Sequence, residues 1–491
     1  MNTITSKKLK IYNTLSKRFE EFKTLRSGIV RGYVCGPTVY DSTHVGHART
    51  YVFFDIFRRY LEYLGYEVRM VINFTDIDDK IINRAKQEWG TYIADKWYEI
   101  PKKYIREFFE ICEQLHLKPA YAYPKVTDHV QDMINFIDKL LKNEYAYVSE
   151  DGSVYFSIDK VKEFYGKLSG QKIDELIAGA RVEPEVGKKN PLDFALWKSW
   201  KEGEPWWSSP WSPGRPGWHL ECVVMASKYL DIPLDFHGGG QDLIFPHHEN
   251  ENAIAKAIFG IDNFANYWIH VGLVTIRGEK MSKSLGNIIT VKEVLEKFDG
   301  EVLRLYYAST HYRKPLDFTF EGLEQAEALL KSLYLAYDYA RQALNEAKDE
   351  EGELDYEVLG KVKEIEESFN QDMLSDLNTA SALTSVVDLS KYITSKLIYI
   401  PEKVSKKAIS TLLNIYIKLC NVLGILNKVE IDNTLVQIIE LLLSVRSRLR
   451  SMKMYDLADE IRSRLSDLKI HLSDTKVKTY WTLDRFVKTK T

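Results

Sequence analysis

The sequence predicts an α/β fold with a parallel sheet, followed by a largely helical second half. In the first half, residues 29–35 and 67–74 are strand-like, and residues 48–64 between them carry apolar side chains at helical spacing. A strand, a helix and a second strand in this order are typical of a parallel sheet, whose ligands bind beyond the carboxyl ends of the strands. After about residue 301 the pattern is helical, beginning with the amphipathic segment 321–348.

Residues 118–190 differ from both halves and indicate an insertion. Their pattern predicts one helix and then a small hairpin, with Asp151 and Gly152 at the turn. From residue 191 to about 300 the density of Gly, Pro and Trp rises, and most candidate chemistry lies there. We therefore expect a parallel-sheet domain that is split by an α+β insertion and continued by a helical bundle.

Length and composition exclude several classes of protein. The chain has 491 residues, of which 45% are hydrophobic and 28% charged, as in an ordinary globular protein with more than one domain. Its four cysteines do not make a disulfide framework, so reduced thiols or metal ligands fit better. We expect a cytoplasmic protein with no membrane contact, because the N-terminus lacks a secretory signal and no run of about 18 apolar residues occurs.

The net charge of −3 conceals an uneven distribution along the chain. Residues 441–491 hold 12 Lys and Arg against 6 Asp and Glu, so the remaining 440 residues carry −9. A basic module of this kind favours contact with nucleic-acid phosphates. Trp481 and Phe486 are candidates for base stacking, with burial against the terminal helices as the alternative. The expected phosphate contacts are Arg446, Arg448, Arg450, Arg462, Arg464 and Lys469.

The segment after the first strand has the features of a phosphate site. His44 and His47 flank Gly46 where the first long helix begins. A helix N-terminus presents unpaired N–H groups and partial positive charge, and two imidazoles there can donate to phosphate oxygens. Gly46 allows a flat ligand to approach the backbone. A capped helix with two surface histidines is the alternative.

A second segment, EKMSKSLGN at residues 279–287, carries two lysines close together. Lys280 and Lys283 on one loop can clamp a triphosphate and stabilise the charge of a leaving pyrophosphate. A solvated basic loop is the alternative. Gly238 and Gly239 follow another strand-like run, and we expect them to allow close approach of an adenosine.

Four further side chains suit one metal ion although they are far apart in sequence. Cys35 ends the first strand, Cys222 lies in RPGWHLEC, and His247 and Glu251 are four residues apart. On one helix, His247 and Glu251 share a face, and the four donors are a plausible Zn²⁺ set. Buried cysteines are the alternative for both thiols. We do not expect His248 on the ligand face, because it points about 100° from His247 on a helix.

Other residues are expected to have structural roles. Cys112 and Cys420 lie on apolar helix stripes and predict core packing. Asp76 is expected to cap the helix that follows it. One loop holds four tryptophans, of which three are expected to pack around the metal region and one, Trp218, to line a pocket: Trp206, Trp207, Trp211 and Trp218.

Together, the motifs resemble those of the cysteinyl-tRNA synthetases, a family of class I aminoacyl-tRNA synthetases. The resemblance rests on segments in the family's order: GPTVYDSTHVGHART, NFTDIDDK, NPLDFALWK, GWHLEC, HGGGQDLIFPHHENE and KMSKSLGN. It extends to the insertion and to DLADEIRSRL near the end, so it covers nearly the whole chain. Val45 stands where the family has Ile, and Ser42-Thr43 where relatives often carry Leu-Cys.

The resemblance implies roles for named residues. One zinc ion per chain is implied, with four ligands: Cys35, Cys222, His247 and Glu251. The implied catalytic and ATP-binding residues, with Mg²⁺ on the phosphates, are His44, His47, Lys280 and Lys283, and Gly238 and Gly239 are expected on ATP. Residues that match positions around the amino-acid substrate are Thr75, Trp218 and Asp242.

The resemblance also implies a fold and a reaction. The implied fold has four parts: a Rossmann-type catalytic domain (1–117 and 191–300), the insertion (118–190), a helical bundle (301–430) and a small anticodon-binding domain (431–491). The implied reaction is ATP-dependent ligation of L-cysteine to its tRNA through cysteinyl-adenylate, with zinc selecting the thiolate, in a monomer. The alternatives are a cysteine ligase with a small-molecule amine acceptor and a non-catalytic RNA-binding paralogue.

Overall fold

The computed structural model describes residues 8–171, 187–281 and 285–486. The strands in these ranges are β1 (Lys10–Asn13), β2 (Arg18–Glu21), β3 (Ile29–Val34), β4 (Glu67–Ile72), β5 (Ala146–Val148), β6 (Val154–Phe156), β7 (Phe194–Ser199), β8 (Gly214–Pro216), β9 (Leu234–Gly240), β10 (Ala265–Val271), β11 (Val274–Ile276), β12 (Glu279–Lys280), β13 (Leu316–Asp317), β14 (Ile470–Asp474) and β15 (Thr479–Leu483). The helices are α1 (Val45–Tyr63), α2 (Asp79–Trp89), α3 (Glu99–Gln114), α4 (Val130–Lys142), α5 (Glu221–Tyr229), α6 (Glu249–Phe259), α7 (Val291–Leu295), α8 (Gly300–Ala308), α9 (Phe320–Glu346), α10 (Asp355–Leu374), α11 (Thr379–Ser395), α12 (Lys406–Leu423), α13 (Asn433–Ser451) and α14 (Tyr455–Asp467).

The chain divides into two compact units. The first runs to Glu293 and adds Tyr312–Asp317, and the second holds Val294–His311 and the chain from Phe318 onward. None of the described helices is long and apolar enough to cross a membrane.

A four-stranded parallel sheet forms the centre of the first unit, in the order β10-β9-β3-β4. Helix α1 joins β3 to β4, and α6 lies between β9 and β10. Buried residues such as Val30, Val34 and Phe236 fill these strands, as expected when helices cover both faces. Because β3 and β9 lie side by side while their crossovers lead to opposite edges, their carboxyl ends form the crevice in which such sheets bind ligands. The predicted parallel α/β fold is confirmed.

The insertion contains α4 and an antiparallel sheet in the order β5-β6-β7-β8. Its first hairpin turns at Asp151 and Gly152, where Gly152 has a φ of +81° that favours glycine. Strands β7 and β8, which follow residue 190, complete the same sheet. This sheet brings Lys198 and Arg215 next to Asp79 at the start of α2.

The second unit is helical up to α14 and ends in the hairpin β14–β15. We call α13, α14 and this hairpin the terminal module. Its core contains Ile439, Leu465, Leu472 and Trp481, all of which are buried. Trp481 is thus inside the module and not available for base stacking, while Phe486 packs edge-on against Tyr334 at a ring-centroid distance of 5.3 Å. Burial, the alternative considered for both rings, is confirmed for Trp481, whereas Phe486 is partly buried.

Asp474, at the end of β14, binds three of the arginines that were expected to meet phosphates. Arg446 is buried, and its Nη1 and Nη2 atoms donate to the two carboxylate oxygens at 2.7 and 2.8 Å. Arg450 and Arg462 approach the same carboxylate at 3.2 and 3.6 Å. The Arg446 hydrogen bond, which outweighs burial, holds the pKa of Asp474 well below its ordinary value. The prediction that Arg446 contacts nucleic acid is wrong, because this side chain stabilises the module itself.

We expect Arg446→Met to destabilise the terminal module by about 1–3 kcal/mol, because Asp474 loses two charged hydrogen bonds. The unfolding midpoint in scanning calorimetry measures this loss. Since the folded pKa of Asp474 is depressed, the contribution of the pair is present above the ordinary aspartate pKa of about 4 and is lost as the pH falls below it.

The matched control is Arg448→Met, which removes an exposed arginine from the same helix. Equal midpoints for the two variants at neutral pH would contradict the assignment of Arg446.

Candidate active site and metal centre

A cavity of about 320 Å³ opens at the carboxyl ends of the parallel strands. Cys35 follows β3, Asn73 follows β4 and Gly240 ends β9, and all three residues line the cavity. The first turn of α1 and the hairpin β11–β12 contribute further walls. The strand ends and the helix start thus bring together the sequence segments that were expected to carry chemistry.

The four residues predicted to bind metal lie together and are buried. Their donor atoms are all within 4.8 Å of one another, and we call this group the metal cluster: Cys35, Cys222, His247 and Glu251. The two Sγ atoms are 3.9 Å apart, and Sγ of Cys222 lies 3.6 Å from Nε2 of His247. Oε1 of Glu251 lies 3.0 Å from Nε2 of His247 and 3.8 Å from Sγ of Cys35.

These separations suit a tetrahedral zinc ion. Zn–S bonds of about 2.3 Å and Zn–N bonds of about 2.0 Å place neighbouring ligand atoms about 3.3–3.8 Å apart in such a site. Four of the separations in the metal cluster lie between 3.0 and 3.9 Å, close to this range. Two sulfur donors, one imidazole and one carboxylate are also chemically suited to zinc.

His248 lies beside the cluster, contrary to the prediction that it points away. Its Nε2 atom is 3.2 Å from Sγ of Cys35, and with Cys35, His237 and Glu251 it forms a second buried group of possible metal donors. The prediction was wrong because α6 begins only at Glu249, so the 100° helical spacing does not apply to the wider turn Ile244–His248. Cys35, Cys222 and His247 line the cavity, whereas His237 and His248 do not.

Hydrogen bonds hold the imidazoles around the cluster in fixed orientations. His237 donates from Nδ1 to the carbonyl oxygen of Tyr33 at 2.8 Å, and its Nε2 lies 2.6 Å from Oε2 of Glu251. Nδ1 of His248 lies 2.7 Å from Nε2 of His270. Partners of this kind fix the orientation of metal ligands. The sequence analysis missed His237 and His270, because no spacing rule links a strand histidine to a distant ligand.

His219 supports His247 in the same way. The Nδ1 atoms of the two rings are 3.1 Å apart, so the nitrogen of His247 that faces away from the cluster has a partner. Burial, followed by the neighbouring His247, holds the pKa of His219 well below its ordinary value, so that the ring is neutral and can accept a hydrogen bond. His219 was not predicted as part of the site. Its place in the GWHLEC motif, three residues before Cys222, is the sequence feature that could have indicated it.

The surrounding imidazoles decide the charge of the cluster. Burial and Cys35 oppose ionisation of Glu251, but His247, His237 and His248 outweigh them and hold its pKa at about 2. Burial likewise opposes ionisation of Cys35, while a hydrogen bond from Cys222 and the same imidazoles hold its pKa well below the ordinary value. Cys35 and Glu251 are therefore anionic donors, whereas burial and the neighbouring Cys35 raise the pKa of the Cys222 thiol well above its ordinary value, so that a bound cation would have to displace its proton.

The start of α1, where the sequence predicts a phosphate site, lies at the wall of the cavity. His44 caps the helix, and its Nδ1 accepts from the N–H groups of Gly46 and His47 at 3.1 and 3.3 Å. The rings of His44 and His47 stack at a centroid distance of 3.5 Å, and both residues line the cavity. Nδ1 of His47 is buried and has no hydrogen-bond partner among the described residues, so a ligand group can satisfy it.

The segment at residues 279–287 contributes Lys280 to the wall of the cavity. Strands β11 and β12 form a tight hairpin that turns at Arg277 and Gly278, both with positive φ, and β12 ends at Lys280. Lys280 and Met281 line the cavity. Lys283, the other lysine of the prediction, lies outside the described residues.

The glycines at the end of β9 have a packing role instead of the expected contact with adenosine. A Cβ on Gly238 would lie 2.2 Å from the ring of Phe54, and one on Gly239 would lie 2.8 Å from the side chain of Leu243. Of this glycine run, Gly240 is the member that lines the cavity. The structure therefore does not bring Gly238 and Gly239 to the site.

All three residues expected around the amino acid line the cavity: Thr75, Trp218 and Asp242. Trp218 stacks on His247 at a centroid distance of 4.3 Å, next to the metal cluster. Oγ1 of Thr75 donates a hydrogen bond to the buried carboxyl group of Glu221, which also lines the cavity. Glu221 was not predicted as a site residue from the sequence.

Two structural expectations need correction. Asp78, not Asp76, caps α2, while Asp76 accepts hydrogen bonds from Thr127. Trp206 and Trp207 do not pack around the metal cluster, since the first is half-exposed and the second lies against Trp97. Trp211 likewise lies edge-on to the ring of Trp197 in β7. Cys112 and Cys420 are buried away from the cluster, as their helix stripes predict.

Two known sequence families match this chain. The class I (C) tRNA synthetase catalytic domain matches residues 21–328, a range that contains the whole cavity. The DALR domain matches residues 368–427, which lie within α10–α12 and the turn that follows.

Curated relatives match along nearly the whole chain. A cysteine–tRNA ligase of Pyrobaculum islandicum is 57% identical over 478 residues, which are 97% of this chain and 100% of the relative. A cysteine–tRNA ligase of Thermococcus onnurineus is 48% identical over 481 residues, which are 96% of this chain and 98% of the relative.

Solved structures of other synthetases share the fold. Methionyl-tRNA synthetase of Mycobacterium tuberculosis, bound by methionyl-adenylate, is similar with a TM-score of 0.60 and 14% identity, over 80% of this chain and 91% of that chain. LeuRS of Agrobacterium radiobacter, in a ternary complex with tRNA and LeuAMS, is similar with a TM-score of 0.59 and 12% identity, over 83% of this chain and 87% of that chain. At these identities the likeness concerns the fold alone.

We expect the purified chain to hold one zinc ion and Cys222→Ala to weaken zinc binding by about 100-fold or more, because one of the two sulfur donors is lost. Metal content by mass spectrometry and competition with a chromogenic chelator measure the change. Cys112→Ala, which removes a buried thiol outside the cluster, is the control. Full zinc content with unchanged affinity in Cys222→Ala would show that the cluster is not the metal site.

Proposed function

Because the chain belongs to the cysteine–tRNA ligase family and is a class I aminoacyl-tRNA synthetase, we propose that it joins L-cysteine to its tRNA through cysteinyl-adenylate and selects the substrate thiol with Zn²⁺. The observation that carries the proposal is a single cavity whose wall holds three members of the metal cluster and the paired imidazoles at the start of α1. This arrangement supports the proposal, because adenylation of cysteine requires a site for the thiol next to a site for the phosphates.

In the proposed first step, a carboxylate oxygen of cysteine attacks the α-phosphorus of ATP, and pyrophosphate leaves. No covalent nucleophile from the enzyme is needed, because in-line positioning and charge stabilisation lower the barrier. His44 and His47 are suited to donate to phosphate oxygens at the N-terminus of α1. Lys280, together with Lys283, is suited to stabilise the leaving pyrophosphate, and ATP enters as its Mg²⁺ complex.

Selection of cysteine over serine needs more than the shape of a pocket. Shape alone separates side chains that differ so little by only about 10²-fold. Bound Zn²⁺ supplies a soft Lewis acid that favours a sulfur ligand over a hydroxyl oxygen. The metal cluster would hold the ion, and Trp218, stacked on His247, would limit the space beside it. We therefore propose that the enzyme has no separate editing site.

In the proposed second step, a hydroxyl of the terminal adenosine of tRNA attacks the carbonyl carbon of cysteinyl-adenylate, and AMP leaves. For the rest of the tRNA we propose a contact on the terminal module. Arg448 and Lys469 are exposed there and form no ion pair within the described residues, while Arg464 is exposed beside Glu460. Residues 441–491, which include most of this module, carry a net charge of +6, whereas the rest of the chain carries −9. A monomeric, cytoplasmic enzyme remains the expectation from the sequence.

The alternatives have less support. A cysteine ligase with a small amine acceptor needs no DALR domain and no basic end, yet the relatives named cysteine–tRNA ligase match this chain over 97% of its length. A non-catalytic paralogue needs no intact phosphate site, yet His44, His47 and Lys280 line one cavity.

We expect the zinc-loaded chain to exchange pyrophosphate into ATP in the presence of cysteine and to discriminate against serine far beyond the about 10²-fold of a shaped pocket. Cys222→Ala is expected to abolish this preference, because the thiol loses its metal partner. Exchange kinetics with both amino acids measure the ratio, with Cys420→Ala as the control.

Lack of exchange in zinc-loaded wild-type protein would favour the non-catalytic paralogue. Exchange without any charging of tRNA would favour a small-molecule acceptor.

We expect the double variant Arg448→Gln/Lys469→Gln to raise the KM for tRNA and to leave pyrophosphate exchange unchanged. Each lost phosphate contact lowers the slope of log K against log salt concentration by about 0.7–0.9. Binding of tRNA over a range of salt concentrations measures this slope. An unchanged slope would remove these two side chains from the tRNA contact.

A further inference from the structure

The run TDIDDK at the start of α2 leaves one lysine without an anionic partner. Lys80 is exposed at the cavity, directly after three aspartates, and none of the ion pairs within the described residues includes it. An ammonium group next to three carboxylates would ordinarily pair with one of them. Whether Lys80 can bind a ligand therefore depends on which partners these carboxylates have.

Each of the three carboxylates has a partner other than the ammonium group of Lys80. Asp76 accepts from the N–H and the hydroxyl group of Thr127, at 3.0 and 2.6 Å. Asp78 caps α2 and accepts from the backbone N–H of Lys80 at 2.8 Å. Asp79 points to the insertion sheet, where it binds Lys198 at 2.6 Å and Arg215. None of these three carboxylates therefore forms an ion pair with the ammonium group of Lys80.

The surroundings of Lys80 direct its ammonium group toward the phosphate side of the cavity. Nζ lies 5.6 Å from the ring centroid of Tyr40, another lining residue, which provides a face on which the lysine can rest. Lys80 is also close enough to His47 to contribute, after burial and His44, to a pKa of His47 well below its ordinary value. With Lys280 on the same cavity, two lysines and the α1 imidazoles surround one space.

We propose that Lys80 is a substrate-contacting residue whose ammonium group binds a phosphate in this space. This inference rests on the proposed function and adds a cation to it that the two motifs at residues 44–47 and 280–283 do not include. The phosphate comes either from the nucleotide, as the reacting α-phosphate, or from the tRNA, as the last phosphodiester before the terminal adenosine. Tyr40 and the capped start of α2 hold the lysine in place for either one.

The test compares Lys80→Met with Lys80→Arg and with Lys86→Met. Lys86 lies on the same helix, but its charge is already paired with Glu204 at 2.7 Å, so it is a matched control. Loss of one charged hydrogen bond to phosphate predicts that Lys80→Met is slowed by about 10- to 100-fold. Lys80→Arg keeps the charge and is expected to retain most activity, and both Lys80 variants are expected to unfold at the wild-type temperature.

Two assays separate the possible sources of the phosphate. A loss by Lys80→Met in cysteine-dependent pyrophosphate exchange, measured without tRNA, assigns Lys80 to the nucleotide. Unchanged exchange with slower single-turnover transfer from preformed cysteinyl-adenylate to tRNA assigns it to the tRNA.

Wild-type rates in both assays would overturn the inference, and so would equal losses in Lys80→Met and Lys86→Met. If wild-type protein itself performs neither reaction, the proposed function fails, and that failure is distinct from failure of the inference.

Discussion

The site depends on how closely β3 and β9 pair, because β9 and the chain after it carry three partners of Cys35: His237, His247 and Glu251. The N–H of Cys35 donates to the carbonyl oxygen of Gly238 at 3.0 Å, which continues the strand pairing to the edge of the cavity. Gly36 follows at once and has no room for a side chain, since a Cβ would lie 1.5 Å from the carbonyl oxygen of Asn73. A larger residue at Gly36 would separate the strand ends and move Cys35 away from its partners.

The second constraint is the balance of buried charge. Two sulfurs and a carboxylate are buried close together, and ionised groups are tolerated there only beside opposite charge or hydrogen-bond donors. His237, His247 and His248 meet this requirement around Cys35 and Glu251. The histidines around the metal cluster are therefore part of the site, because they keep Cys35 and Glu251 anionic and fix the orientation of the donors.

Local patterns predicted the features that depend on local sequence. The alternation of strands and helices predicted the parallel sheet. The resemblance of motifs predicted that Cys35 and Glu251 belong to one site, and their donor atoms are neighbours in the structure. Features set by distant partners were not predictable. His248 reaches Cys35 because the turn before α6 is wider than a helix, which no spacing rule shows. Arg446 is buried because Asp474, on a strand formed 28 positions later, accepts hydrogen bonds from its Nη1 and Nη2 atoms.

The separation of the donors along the chain also has a consequence for biosynthesis. Cys35 and Glu251 lie 216 positions apart, so a ribosome adding about 5–20 residues per second makes the last donor roughly 10–40 s after the first. During that interval the Cys35 thiol lacks its imidazole neighbours and is open to oxidants and to competing metal ions. The insertion prolongs this exposure, because every residue placed between the two halves of the sheet delays completion of the centre.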